Sequence, residues 1–253
     1  MDGVGKSTTG LGDAVTAAHT PTLDKLLATC KNVYIKAHGT AVGLPSDEDM
    51  GNSEVGDNAL GCGQVYSQGA KLVEEAIESG EIFNSSAWQE LKNNCVAHGS
   101  AMHFLGLLSD GNVHSNINHL IALIKGAKRD GIKKVFVHVL LDGRDVPATS
   151  ALQYVDMLEN AMAEMNDESF TAKIASGGGR MTITMDRYFA NWDMVKRGFY
   201  THVYGEGRGF ESATAAIETF RAETPGIIDQ DLPAFVVVKD GKPVGAMHDN
   251  DSV

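Results

Sequence analysis

The sequence predicts an α/β protein, and three observations carry the prediction. Short apolar runs of strand length alternate with segments whose apolar residues recur at the helical period. Twenty-eight glycines, against roughly 18 expected at about 7% average usage, gather where strands give way to helices. Three strand exits open into polar loops, and open α/β sheets place their ligands beyond the carboxyl ends of strands.

The elements follow in order. TPTLDKLL (20–27) reads as a helix start, with Thr20 as N-cap and Pro21 at the first helical position. VYIKA (33–37) reads as a short strand running into the loop HGTAVGLPSDEDMGN, and a helix starts at Ser53 in SEVGDNALG. KLVEEAIESG (71–80) is amphipathic, with Leu72, Val73, Ala76 and Ile77 on one face and Gly80 as its stop. AMHFLGLL (101–108) is a buried strand. The helix after it repeats Ile117, Leu120, Ile121, Ile124 and Ala127. KVFVHVLLD (134–142) is a strand, TSALQYVDMLENAM (149–162) a helix, and AKIASGGG (172–179) a strand with a glycine-rich exit. Helical segments are expected near 191–203 and 211–223. FVVVKDGKPVGA (235–246) reads as a hairpin turning at Asp-Gly.

Composition narrows the function. Lys+Arg number 21 against 33 Asp+Glu, a formal charge of -12, which gives nucleic acid or an anionic membrane no basic footprint to grip. A small anionic substrate needs only a few arginines brought together locally. No apolar run reaches the ~18–20 residues that span a bilayer, and MDGVGKSTTG lacks the basic-then-apolar order of a secretory signal. The expected compartment is the cytoplasm. Cys30, Cys62 and Cys95, odd in number and in no CxxC pair, are expected as reduced thiols.

Several motifs carry chemistry. GVGKST (3–8) has the Lys-Ser of a phosphate loop but not its first glycine or preceding strand, so a glycine turn is the expected reading. In MGNSEVG (50–56), Ser53 stands at a loop-to-helix junction that favours an anion. It is either the helix cap or a nucleophile, and with no nearby histidine a nucleophile needs a metal. The loops SDGNVHS (109–115), DGRDVP (142–147) and SGGGRMTITMDRY (176–188) hold His114, Arg144, Asp145, Arg180 and Arg187. Asp110 and Asp142 suit turns, and Arg144 could pair with Asp145. Arginines binding carboxylate and phosphate bidentately make the three loops a candidate site for a ligand bearing both. His19, His38, His98, His103, His119, His138, His202 and His248 show no i, i+4 metal spacing.

AHGTAVGLPSDEDMGNSEVG, LGLLSDGNVHS, VHVLLDGRDVP and IASGGGRMTITMDRY resemble, in order and spacing, the signature segments of the cofactor-independent phosphoglycerate mutase family. The resemblance runs through essentially the whole chain. It implies a partial alkaline-phosphatase-like domain over residues 1–68, followed by an inserted α/β transferase domain over 69–253, truncated at its C-terminal end. It also implies an isomerase of glycolysis that interconverts 3- and 2-phosphoglycerate through a phosphoserine. Two divalent ions, Mn²⁺ ahead of Mg²⁺ or Co²⁺, are implied, and 2,3-bisphosphoglycerate is not required. By motif, Ser53 resembles the nucleophile and a metal ligand, and Asp2 a second ligand of the same metal. His114, Arg144, Asp145, Arg180 and Arg187 match substrate-contacting positions, with Asp145 able to position or deprotonate a hydroxyl. A monomer is expected at full length, and this chain is expected to be an inactive portion on its own. The other readings are a non-catalytic phosphoglycerate-binding module and a P-loop nucleotide-binding protein. The sequence departs from the family pattern at Asp57 (usually His), Asn112 (usually Gly) and Gln64 (usually Arg).

Overall fold

A computed structural model describes residues 7–185 and 189–253; Asp2, Arg187 and most of the GVGKST segment lie outside the described residues. The chain divides into two compact units, Met1–Ser67 and Gln68–Val253.

In the first unit, α1 (Ala14–Ala17), α2 (Pro21–Thr29) and α3 (Ser53–Cys62) are joined by long connections. Pro21 opens α2 as expected, but the Thr20 hydroxyl makes no capping bond; it donates to the Asp24 carboxylate at 3.0 Å instead. The strand expected at 33–37 does not form. A strand needs a neighbour to satisfy its amides and carbonyls, and no strand among the described residues pairs with it. Val33, Tyr34 and Ile35 remain exposed.

The second unit begins with α4 (Gly69–Glu78), α5 (Glu81–Asn84) and α6 (Ser86–His98). The sequence carries little periodic signal for α5 and α6. In α6 only Trp88 and Cys95 are buried, so its apolar stripe is too sparse to show as a period. The expected rhythm then follows: β1 (Met102–Leu107), α7 (Ile117–Arg129), β2 (Lys134–Leu141), α8 (Ala151–Met165) and β3 (Thr171–Gly179). Beyond them come α9 (Trp192–Phe199), a π-helix (Tyr200–Tyr204), β4 (Arg208–Phe210), α10 (Ala213–Glu223), β5 (Phe235–Lys239) and β6 (Lys242–Pro243). β4, three residues long, was not foreseen. The β5–β6 hairpin turns at Asp240-Gly241, where both residues have positive φ.

The sheet order is β1-β2-β3-β5-β4, with β6 paired to β5. β1, β2 and β3 are parallel neighbours, and β5 runs antiparallel to β3. The main core lies on one face, where Val135, Val137, Val139 and Leu141 of β2 meet Ile121 and Ile124 of α7, Val155 and Leu158 of α8, and Ile217 of α10. The period-2 alternation of β2 sends Phe136, His138 and Leu140 to the opposite face. Because β1–β3 are parallel, their carboxyl ends share one edge, and all three polar loops leave from it.

Candidate functional site

Asp142, the first residue after β2, ties the three loops together. Its Oδ2 accepts from Ser109 Oγ of the β1 loop at 2.6 Å. Its Oδ1 accepts from the amides of Arg144 and Asp145 in its own loop at 3.2 and 3.0 Å, and from Arg180 Nη1 after β3 at 2.8 Å. Burial pushes the Asp142 carboxyl up, but the bonds from Ser109, the Asp145 amide and Arg180 outweigh it and hold the group below the usual carboxylate range. The turn role expected for Asp142 understated it. This carboxylate organises the edge, and the Asp-Gly pairs at two strand exits were the only sequence signal for it.

Arg180 is buried, and the same Nη1 also donates to Asp145 Oδ2 at 2.7 Å. Burial works against the guanidinium charge, and Asp145 and Asp142 overcome it, raising the Arg180 pKa further. His114 Nε2 stands 3.9 Å from the same Asp145 oxygen. His114, Asp145 and Arg180, expected from different loops, therefore meet at one carboxylate. Arg144 does not pair with Asp145; its side chain is exposed and makes no hydrogen bond or ion pair among the described residues. Asp110 is held back by the Tyr154 hydroxyl. Asn112 adopts φ 58, a left-handed conformation that glycine takes freely and asparagine tolerates better than most residues, so the usual glycine and this asparagine meet the same backbone demand.

In the first unit the cap reading of Ser53 fails. Asn52 is the N-cap, its Oδ1 accepting from the Val55 amide at 3.0 Å, and Ser53 is the exposed first residue of α3. Gly51, just upstream, has its Cα against Ala37: a Cβ there would lie 2.0 Å from the Ala37 carbonyl oxygen. His38 Nδ1 accepts the Gly51 amide at 2.9 Å, and His38 lines the same cleft as Ser53, Asp57 and Gln64. A histidine thus lines the cleft of Ser53, which sequence distance does not show, and no hydrogen bond joins the two side chains. Asp57 is exposed, so its carboxylate is solvated. Among the described residues no three His, Cys, Asp or Glu side chains gather to hold a metal. If Asn52 is the cap, Asn52→Ala should cost about 0.5–2 kcal/mol of stability, while Ser53→Ala should cost almost none. Chemical denaturation of the two variants checks this, and equal losses would return the cap to Ser53.

An α/β unit whose adjacent parallel strands deliver a His–Asp–Arg cluster to one edge is the class that fold and site define. Residues 73–253 match the family model described as BPG-independent PGAM N-terminus (iPGM_N), and the chain belongs to that family. It is 54% identical over its whole length to a probable 2,3-bisphosphoglycerate-independent phosphoglycerate mutase of Leptospira interrogans, covering 46% of that protein. It is 49% identical to the 2,3-bisphosphoglycerate-independent phosphoglycerate mutase of Trypanosoma brucei brucei and 48% to that of Zea mays, covering all of itself and 46% and 45% of them. A crystal structure of Leishmania mexicana phosphoglycerate mutase at low cobalt concentration superposes with TM-score 0.87 at 49% identity, over 94% of this chain and 44% of that one. The chain thus spans about half the length of the curated relatives it matches. No helix among the described residues is long and apolar enough to cross a membrane.

Proposed function

We propose that this chain supplies the phosphoryl-accepting serine and the glycerate-holding loops of a cytoplasmic phosphoglycerate mutase acting between 3- and 2-phosphoglycerate. Membership of the family supports this reading, and so does one observation above the rest: His114, Asp145 and Arg180 close on a single carboxylate at the edge where α/β sheets bind ligands. In this reading, residues 1–68 are the first piece of an alkaline-phosphatase-like domain and 69–253 the inserted transferase domain.

The residues divide the work by their surroundings. Arg144, exposed and uncommitted among the described residues, is placed to meet the substrate's carboxylate or phosphate. Arg187 is assigned the same task from its motif alone. Arg180, already bridging two carboxylates, orients Asp145 more than it grips the ligand. When phosphoryl transfer to a glycerate hydroxyl forms the new O–P bond and breaks the old one, Asp145 Oδ2 is assigned to take that hydroxyl's proton. Where the glycerate O–P bond is the one that breaks, a protonated Asp145 gives its proton to the freed glycerate oxygen. His114 lies beside that carboxylate to donate to the ligand.

Two divalent ions, Mn²⁺ foremost, belong to the same reading, with Asp2 and Ser53 as ligands. The described residues alone do not fit such a centre, because Ser53 has no cluster of metal-binding side chains around it. No step of the substrate handling is therefore assigned to a metal here.

Titration of the chain with 3-phosphoglycerate tests the loops without requiring turnover. Saturable binding is expected, weakened at least tenfold by Arg144→Ala with an unchanged melting temperature, because the lost contact is to ligand and not to protein. Absence of saturable binding, or an Arg144→Ala variant that binds like the wild type, would overturn the assignment.

A further inference from the structure

On the sheet face opposite the main core, six side chains form an unbroken row of hydrogen bonds. Asp251 Oδ2 meets His103 Nε2 at 3.2 Å, and His103 Nδ1 meets His138 Nε2 at 2.9 Å. His138 Nδ1 meets Ser176 Oγ at 2.7 Å, and Ser176 Oγ meets His202 Nδ1 at 2.8 Å. His202 Nε2 meets Thr184 Oγ1 at 3.1 Å. His103, His138, Ser176 and His202 are all buried.

The row has only one possible direction. Asp251 accepts the Ala101 amide on Oδ1 at 2.8 Å and the His248 amide on Oδ2 at 2.7 Å, so it is a carboxylate serving as acceptor on both oxygens. His103 must then carry its proton on Nε2 and accept on Nδ1. It follows that His138 donates from Nε2 and accepts on Nδ1, and that Ser176 donates to His138 and accepts from His202 Nδ1–H. His202 accepts on Nε2, and the Thr184 hydroxyl donates to it. Burial, with the other two rings adding, pushes His138 down to about 2, and burial alone pushes His202 down to about 4, so the rings are neutral, as the row requires.

Four local irregularities build this row, and each is unusual on its own. A register shift after Val137 leaves Ala175 unpaired and sets Ser176 opposite His138. The π-helix at 200–204 carries His202, and such turns are rare and concentrate at functional sites. Thr184 has φ 71, a left-handed conformation that is an outlier for a β-branched residue. Gly198 is the close neighbour that makes room for it, since a Cβ there would lie 2.3 Å from Thr184 Oγ1. Thr184 stands four residues after Arg180, in the segment that follows β3.

We propose that Asp251 sets the direction of this row and thereby locks Thr184, so that Asp251, His103, His138, Ser176 and His202 are positioning residues for the segment that carries Arg180. The positioning of a substrate site rests on the function proposed above; the directional row does not.

Long-range ¹H–¹⁵N correlation spectra of the full chain at pH 7 read the tautomers directly. His103 and His138 are expected in the Nε2–H form and His202 in the Nδ1–H form, the minor one in water. Asp251→Asn supplies an amide donor and permits the whole row to reverse, so His202 should move toward Nε2–H although it does not touch residue 251. Ser176→Ala, which needs no reversal, should speed amide exchange over residues 181–185 at least tenfold and weaken 3-phosphoglycerate binding at least threefold. Mixed tautomers in the wild type, or His202 unmoved in a folded Asp251→Asn, would sink the directional row. Unchanged exchange in Ser176→Ala would sink the positioning role. Absence of 3-phosphoglycerate binding by the wild type removes the substrate reading alone, because tautomers and exchange are measured without ligand.

Discussion

Arg180→Met is expected to lower the unfolding free energy of the 68–253 unit by about 3–5 kcal/mol, toward the lower end of that range. The variant preserves most of the volume but removes the cation from between two carboxylates, one of them almost fully buried. Breaking a buried ion pair from one side strands the other charge. Asp142 keeps its bonds from Ser109 and two amides, which is why the loss should not reach the upper end. Adding Asp142→Asn to the same chain should recover part of the loss, since the stranded charge is then gone. Urea denaturation followed through the fluorescence of buried Trp88 measures both. A loss under about 1 kcal/mol for Arg180→Met would mean that this arginine faces ligand more than protein. Arg180→Lys keeps a cation, so it should cost less stability than Arg180→Met.

Acid should weaken this unit well before its carboxylates titrate. His138 and His202 sit at about 2 and about 4 in the folded protein, against about 6.5 in an unfolded chain. Below pH 6.5 the unfolded state takes up protons that the folded state refuses, so stability is full above that pH and falls as pH drops toward the folded values. Each ring then costs up to about tenfold in the folding equilibrium constant per pH unit. Between pH 7 and pH 5 the two together should cost on the order of several hundred-fold, or about 4 kcal/mol. His103, lowered by burial against the opposing pull of Asp251, and His119, lowered by burial, act in the same direction. Glu159, raised by burial, opposes them. Asp142 and Asp251, both below the ordinary range, add to the loss only at still lower pH. Denaturation midpoints at pH 7, 6 and 5 decide the matter. Equal stability at pH 7 and 5 would show that the rings are charged in the folded protein and would contradict their burial.

What the sequence made legible was local. The periods of 101–108, 117–129, 134–142 and 172–179 are strong because each element buries one face or both against a single core, and the Asp-Gly turn at 240–241 needed only its own two residues. The edge holding His114, Asp145 and Arg180 could be found because parallel strands force their exits together. The VYIKA segment misled, since β-propensity describes what a segment would do beside a partner and does not supply one. The row from Asp251 to Thr184 was invisible for a different reason. Its members lie on β1, β2, β3, the turn after β3, the π-helix and the segment after β6, and no linear spacing reports neighbours across a sheet. Taken one at a time, its three histidines show only that they lack the i, i+4 spacing of a helical metal pair. The roles of Ser109 and Asp142 were hidden likewise by their resemblance to ordinary turn residues.

The π-helix constrains this protein in a way that substitution alone would not reveal. Such a turn closes on i→i+5 bonds and therefore accommodates one residue more than the α-helix it continues. Each residue advances a helix by roughly 100°, so excising one residue between Phe199 and His202 would return the segment to ordinary winding and swing the imidazole about a quarter turn away from Ser176. Tyr200 and Tyr204, both exposed, could exchange for other side chains over the history of the family without disturbing that geometry. The length of the segment is held more tightly than the identity of its exposed members, and lineages of this fold should diverge at 200 and 204 while keeping both that length and His202.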